Sequence, residues 1–400
     1  MKVLRIIPSM DPSSGGPCQG IRNIIPELYK AGITNEVVCL DDPAAEFLKT
    51  DDFPIVALGP AKGPWQSSPQ LVPWLVENLA RFDVVIVHAL WLFHGYAARK
   101  ALRIHKRSKG KVPRVYVMPH GMLDPYFQRA GERKLKAVRN WAYWKLIESK
   151  LINEADGILF TCEAELLLAR QPFQPYHPKR EINIGYGVQP PPPFNEEMKV
   201  AFKASCPGLG DQPYFLFLSR IHEKKGIDHL VEAYSNIYQL YQRSNSLEML
   251  PKLVVAGPGL DTEFGSKLES MANTLPGLKD AIFFPGMLTG AGKWGAFYGC
   301  EAFVLPSHQE NFGIAVAEAL ACGKPVLISY QVNIWREIVE TGAGIVADDN
   351  TAGAELLINS WMKLSHAGKL EMKGNATRCF QKEFTITSAA DRFVQLLATS

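Results

Sequence analysis

Apolar residues in this chain come in short, nearly unbroken runs of four or five, separated by longer stretches in which they recur every third or fourth position. Residues 3–7, 36–40, 84–87, 114–118 and 157–161 form one series of runs, and residues 214–218, 252–256, 281–284, 302–305 and 325–328 form a second. Strands that are apolar at every position are buried on both faces, and amphipathic stretches between them supply the covering helices. The pattern predicts α/β architecture with two parallel sheets. Between the series stands Gly-Tyr-Gly-Val-Gln followed by four prolines at 190–193. Proline in series forbids a helix interior or a central strand and favours a stiff extended connection. The boundary is therefore placed near residue 188, giving domains 1–188 and 189–381. The last segment has Ala390, Phe393, Val394 and Leu397 on one helical face, which predicts a helix packed on a core.

Composition changes this picture little. A 400-residue chain is long enough for two domains, and with 47% hydrophobic residues each half can bury a core. A net charge of +3 is too small to argue for nucleic acid. The seven cysteines are scattered and form no Cys-x-x-Cys pair, which disfavours a disulfide framework or a zinc site and predicts a reducing compartment. The apolar run at 3–7 is too short for a secretory leader, and no run reaches 18 apolar residues. The expectation is a cytoplasmic protein that could rest on the inner face of a membrane.

The densest candidate chemistry is Pro-Ser-His-Gln-Glu310-Asn311-Phe312-Gly313-Ile314-Ala315-Val-Ala-Glu318, followed by Gly323-Lys-Pro325. A strand ends at Pro306, a polar loop follows, and a helix begins at Gly313. Free amides at a helix N-terminus attract anions, and glycine there lets a phosphate approach the backbone. Glu310 sits in the loop at the carboxyl end of a strand, where open α/β sheets bind ligands, with Glu318 two helical turns on. Physical argument alone leaves two readings level: one carboxylate for a sugar and one for a ribose, or two solvated surface acids.

This pattern, with its two glutamates eight positions apart, resembles the retaining glycosyltransferases of family 4, of GT-B architecture and bacterial polysaccharide-biosynthesis type. Upstream, Phe-Leu-Ser-Arg220-Ile-His-Glu-Lys-Lys225-Gly226 is similar to the family's strand followed by Gly-Arg and Lys-Gly, with Ser219 where glycine is usual. Val-Val-Ala-Gly257-Pro-Gly259, Phe-Pro-Gly-Met287-Leu288 and Gly-Ala-Gly-Ile345-Val are similar to further family segments. The resemblance implies two Rossmann-like domains facing across a cleft, with the final helix, about 382–400, crossing back to the first. It implies that Arg220, Lys225 and the amides of Gly313, Ile314 and Ala315 hold a diphosphate. Gly257, Asn311 and Phe312 join that donor site, Met287 and Leu288 contact the base, Glu318 binds ribose and Glu310 orients the sugar. Two cations facing a departing nucleoside diphosphate stabilise its growing charge.

In the first half, Gly15-Gly16 follows the first strand and is similar to the family's glycine-rich loop near the donor phosphates; a plain surface loop is the alternative. There is no G-x-G-x-x-G, which disfavours a nicotinamide oxidoreductase. His120, in Pro-His-Gly-Met, looks like the family's histidine that contacts the donor sugar. His88 and Trp91 lie beyond another strand and are acceptor-side candidates, although Trp and His also fill cores. The basic, aromatic stretch Arg129–Lys150 has Leu135, Val138, Ala142 and Leu146 at helical spacing. Two readings stand: an amphipathic helix on anionic lipid through Arg133, Lys134 and Lys136, or a core-facing helix with a solvated basic face.

Together these features predict a hexosyltransferase that moves a sugar, UDP-glucose being the first donor considered and GDP-mannose or UDP-GlcNAc the others. The acceptor would be a saccharide or lipid-linked saccharide for envelope or extracellular polysaccharide. Retention at the anomeric carbon is implied by the resemblance. No D-x-D triplet occurs, in line with catalysis that uses no metal and no cofactor beyond the nucleotide sugar. The rival readings are a sugar-nucleotide epimerase of the same architecture and a non-catalytic nucleotide-sugar-binding subunit.

Overall fold

The computed structural model describes residues 1–109, 112–129 and 134–398. Two compact units divide the chain: Met1–Gly187 with Ile386–Ser400, and Val188–Thr385. The division falls two residues before the proline run.

The first unit holds β1 (Lys2–Ile6), β2 (Thr34–Cys39), β3 (Ile55–Ala57), β4 (Val84–His88), β5 (Arg114–Met118), β6 (Gly157–Phe160) and β7 (Glu181–Asn183). They form a parallel sheet in the order β3-β2-β1-β4-β5-β6-β7. In the second unit β8 (Tyr214–Leu218), β9 (Lys252–Ala256), β10 (Ile282–Gly286), β11 (Ala302–Leu305), β12 (Val326–Ser329) and β13 (Gly344–Ala347) are ordered β10-β9-β8-β11-β12-β13, again all parallel. Each sheet thus runs outward in both directions from its first strand, the doubly wound Rossmann-like order of the GT-B class. The strand order reverses beside β1 and beside β8, and ligands of such sheets bind at that switch point, outside the carboxyl ends of the strands.

Alternate residues of β1 and β4 serve opposite faces. Leu4, Ile6, Val85 and Val87 enter a core with Leu71, Leu75, Ala97 and Ala101. Val3, Val84 and Ile86 pack on the other face with Phe393, Leu396 and Leu397 of the helix Ile386–Ala398. Each such buried side chain is worth about 1.5–3 kcal/mol, so this helix is part of the unit's core.

The ten apolar runs all form strands, with ends shifted by a residue or two. β7 carries no such run, and the short run 55–58 that forms β3 is not among the ten. Both are three-residue edge strands, half-buried throughout. The basic stretch is helical over Lys134–Tyr143, widens to a π-helical turn at Trp144–Glu148 and continues over Ser149–Glu154. Arg133, with the rest of 130–133, lies outside the described residues. Of the stripe at helical spacing, Leu135, Val138 and Leu146 are 67–88% exposed and Ala142 is half-buried, so a different face of the helix meets the core. Trp144 and Glu148 are the residues that enter the core instead.

Candidate functional site

The second unit gathers its polar groups at the carboxyl ends of β8, β9, β10 and β11. After β8 the chain passes Ser219 and the exposed Arg220, then makes a tight turn over Glu223–Lys225 that ends at Gly226. Gly226 has φ 62°, and a Cβ there would lie 2.1 Å from the Pro306 carbonyl oxygen. Only glycine admits both the left-handed turn and this close approach. The turn buries Lys225 and brings its Nζ onto Glu310 Oε2. Glu310 is fixed by its backbone: its N–H donates to the Gln331 carbonyl at 2.9 Å, and its own carbonyl accepts from Asn333 at 2.9 Å.

Gly313, with φ 78°, starts the helix Ile314–Ala321, and no side chain caps that N-terminus. Phe312 is buried with its ring edge-on to Phe384 at 5.5 Å, which anchors the turn. Ile314 and Ala315 are half-buried, and Gly323, with φ 68°, ends the helical segment. Glu318, 9% exposed, pairs with Lys293 Nζ at 2.6 Å. Lys293 was not among the residues picked from the sequence. Its one signal is its place in Thr-Gly-Ala-Gly-Lys, opening the helix Gly290–Gly299 after β10. Two lysine–glutamate pairs therefore flank an uncapped helix N-terminus, which is a natural anion site.

Gly257 follows β9, and a Cβ there would strike the Ser219 carbonyl oxygen at 1.8 Å. It lets the β8 and β9 loops run side by side. Beyond β10, Met287 is 69% exposed whereas Leu288 is buried, so of these two side chains only that of Met287 is open to a ligand.

In the first unit, Gly15 (φ 89°) precedes the helix Gly16–Lys30 just after β1, and a Cβ on it would meet open space. His88 ends β4, and His120, with φ 54°, follows β5. The structure brings them together: His88 Nδ1 lies 3.0 Å from His120 Nε2, with the rings stacked at 5.3 Å. Arg5, buried within β1, contacts His88 Nε2 at 3.2 Å and donates to Asn35 Oδ1 at 2.9 Å. Burial lowers Arg5 to about 9. Burial, then Arg5, holds His120 down at about 3, and the same causes with its histidine neighbours keep His88 well below its usual value. Both rings are neutral at physiological pH. A cavity of about 30 Å³ adjoins the pair, lined also by Tyr186 and Phe393.

Two further groups were missed in the sequence. Glu165, buried, accepts from the Gly121 N–H at 2.5 Å and from Thr161, holding the His120 turn in place. Arg5 was legible in principle, because a charge inside an apolar strand must find partners. Trp91 is not brought onto the histidine pair. Its ring joins an aromatic cluster with Phe173 at 5.2 Å, Tyr143 and Trp144, and its backbone N–H donates to Glu148.

With this geometry in place, comparison with known proteins is informative. Residues 203–377 match the family model described as glycosyl transferases group 1, and residues 15–182 match the glycosyl transferase 4-like domain. Between them the matches run through most of the chain and support a group 1 glycosyltransferase. Among curated relatives, an uncharacterized glycosyltransferase of Methanocaldococcus jannaschii is 32% identical over 133 residues, 33% of this chain and 31% of that protein. A D-inositol 3-phosphate glycosyltransferase of Xylanimonas cellulosilytica is 29% identical over 177 residues, 42% of this chain and 38% of that protein. The chain thus spans well under half the length of these two relatives. Among solved structures, Anabaena HepE in complex with UDP and glucose aligns over 100% of both chains with TM-score 0.72 and 17% identity. Sucrose-phosphate synthase from Thermosynechococcus elongatus aligns over 100% of both with TM-score 0.68 and 18% identity. These likenesses show the fold.

Proposed function

We propose that this protein transfers a hexosyl group from a nucleoside-diphosphate sugar to a saccharide or lipid-linked saccharide acceptor. The observation that carries the reading is the pairing of Lys225 with Glu310 and of Lys293 with Glu318 around the uncapped helix that starts at Gly313. Lys225, Arg220 and the first amides of that helix would hold the diphosphate and stabilise the charge that grows as it leaves. Glu318 would accept hydrogen bonds from ribose hydroxyls, and Glu310, released from Lys225 as the phosphate takes that cation, would orient the sugar. The neutral His88–His120 pair offers hydrogen bonds suited to hydroxyl groups. Retention, by deprotonation of the acceptor by the leaving phosphate on the same face, is the step proposed, following the family resemblance.

UDP-glucose is the first donor to try, supported by the similar fold of HepE, solved with UDP and glucose. GDP-mannose is the second. A Mycolicibacterium smegmatis relative, 25% identical over 59% of this chain and 62% of that protein, is a GDP-mannose-dependent mannosyltransferase of phosphatidylinositol monomannoside. The test is a panel of nucleotide sugars without acceptor, read by binding heat and slow hydrolysis. One donor should bind and hydrolyse, and Lys225→Ala should abolish both. Binding without turnover, even with acceptor extracts present, would favour the non-catalytic subunit, and release of an altered nucleotide-free sugar would favour the epimerase.

The exposed line Leu135, Val138, Trp141 and Leu146, with Lys136, Arg139 and Lys145 beside it, supports a peripheral membrane contact in service of a lipid-linked acceptor. The intact protein should sediment with anionic vesicles, and Leu135→Asp with Val138→Asp should abolish this. Failure of the intact protein to bind vesicles would remove the membrane reading. No helix among the described residues is long and apolar enough to cross a bilayer.

A further inference from the structure

Behind the Lys225–Glu310 loops, Asp228, His229 and His308 each place one ligand atom within 4.8 Å of the others. Asp228 and His229 lie in the first turn of the helix Ile227–Arg243, directly after Lys225 and Gly226, and His308 lies in the loop after β11, two residues before Glu310. The hydrogen bonds behind the rings set their tautomers. Thr351 Oγ1 donates its proton to Glu232 at 2.7 Å, so it can only accept at 2.9 Å from His229 Nδ1–H. The Asp349 carboxylate accepts at 2.7 Å from His308 Nδ1–H. In the neutral ring a proton on Nδ1 leaves a lone pair on Nε2. The two rings stand perpendicular, 5.3 Å apart between centroids. Asp228 Oδ1 is buried without a hydrogen-bond partner among the described residues. Two histidines with Nε2 left unprotonated and a carboxylate with an orphaned oxygen thus each bring one ligand atom into one small space.

We propose that Asp228, His229 and His308 form a site for a divalent transition-metal ion, with zinc the first candidate. Two nitrogens and one carboxylate oxygen, with a fourth position open to water, suit tetrahedral zinc, whereas magnesium and calcium demand a shell of oxygens. Carboxylate and hydroxyl partners behind the ligating histidines orient the rings as they do in known zinc sites. The sequence led to an expectation of no metal and no zinc site, drawn from scattered cysteines and a missing D-x-D triplet; the site proposed here departs from it, with a ligand set that uses no cysteine. Its role follows from its position: it ties the Lys225 turn to the Glu310 loop. The loops are already stitched where the His308 N–H and the Ser307 hydroxyl both donate to the Lys224 carbonyl, at 2.9 and 3.0 Å. A bound ion would lock the same junction and so hold the Lys225–Glu310 pair in register.

The test is a titration of the purified, tag-free, metal-stripped chain with Zn²⁺ against a chromogenic chelator, with no donor or acceptor present, so its outcome is independent of the transferase reading. One equivalent should bind. His308→Ala should weaken that binding at least about 100-fold, and Asp349→Asn about tenfold through loss of ring orientation. His177→Ala, an exposed histidine of the other unit, should leave it unchanged. Co²⁺ should give the visible bands of tetrahedral coordination, and Asp228→Asn, checked for native circular dichroism, should abolish them. Absence of stoichiometric binding, or binding that survives both His308→Ala and Asp228→Asn, overturns the proposal.

Discussion

Glu148 offers a quantitative test of the buried electrostatics. It is fully buried in the π-helical turn; Oε1 accepts from the Trp91 N–H at 2.9 Å, and Oε2 has no partner among the described residues. Burial, only partly offset by the Trp91 hydrogen bond, raises its carboxyl from 4.5 to about 7. A folded-state value above the unfolded one means that the fold prefers the protonated acid. The stability it contributes is full below about pH 4.5 and is lost as pH rises through about 7. The loss, at about 1.4 kcal/mol per unit, comes to about 3 kcal/mol. Glu148→Gln keeps the acceptor for Trp91 and mimics the protonated form, so it should match the natural protein at pH 4 and exceed it by about 3 kcal/mol at pH 8.5. Urea denaturation of both proteins at several pH values measures the difference, and other titrating groups cancel between them. Equal stabilities at pH 8.5, or a gap that does not close by pH 4, would refute the argument and point to a carboxylate that water reaches.

Other outcomes follow from single contacts. Lys293→Ala leaves the Glu318 carboxylate buried without its cation, so it should lower stability by about 1–3 kcal/mol and weaken nucleotide binding about tenfold by calorimetry. Gly226→Ala forces a Cβ onto the Pro306 carbonyl at φ 62° and should cost about 2–3 kcal/mol in urea midpoint terms. Gly32→Ala, at φ 76° with open space around it, should cost about 1 kcal/mol. His120, held at about 3 in the fold, contributes stability that is present above about pH 6.5 and lost as pH falls toward 3. His120→Gln should flatten that part of the acid-unfolding curve, and no inflection near 6.5 should appear in the activity profile on its account.

Much of the architecture was legible because doubly buried parallel strands must be apolar at every position, a constraint no surface segment shares. That alone brought out ten of the thirteen strands among the described residues, and the Gly-Ala-Gly-Ile345-Val resemblance pointed to β13. β7 escaped because a three-residue edge strand is held by its neighbour's backbone rather than by its own side chains, whereas β3 does carry a short apolar run, 55–58, outside the ten. The candidate donor residues were named through the family resemblance, and the glycines among its motifs stand where positive φ and close backbone approach require them, as at Gly226, Gly257 and Gly313. The ion pairs at that site were not legible. Lys293 meets Glu318 across 25 residues and Lys225 meets Glu310 across 85, and no local spacing encodes such encounters.

The sequence by itself determined the strand runs and the helix start at Gly313, since each of these rests on local sterics or on burial of a contiguous segment. Tertiary structure alone decided which charges pair, that His88 and His120 are neutral against a buried Arg5, that Trp91 packs into an aromatic cluster, and that Leu135 and Val138 face outward. It alone carried His308 to Asp228 and His229. The reason is common to all of these: ionisation, pairing and ligation depend on distances across the fold, and those distances exist only once the strands have been ordered side by side.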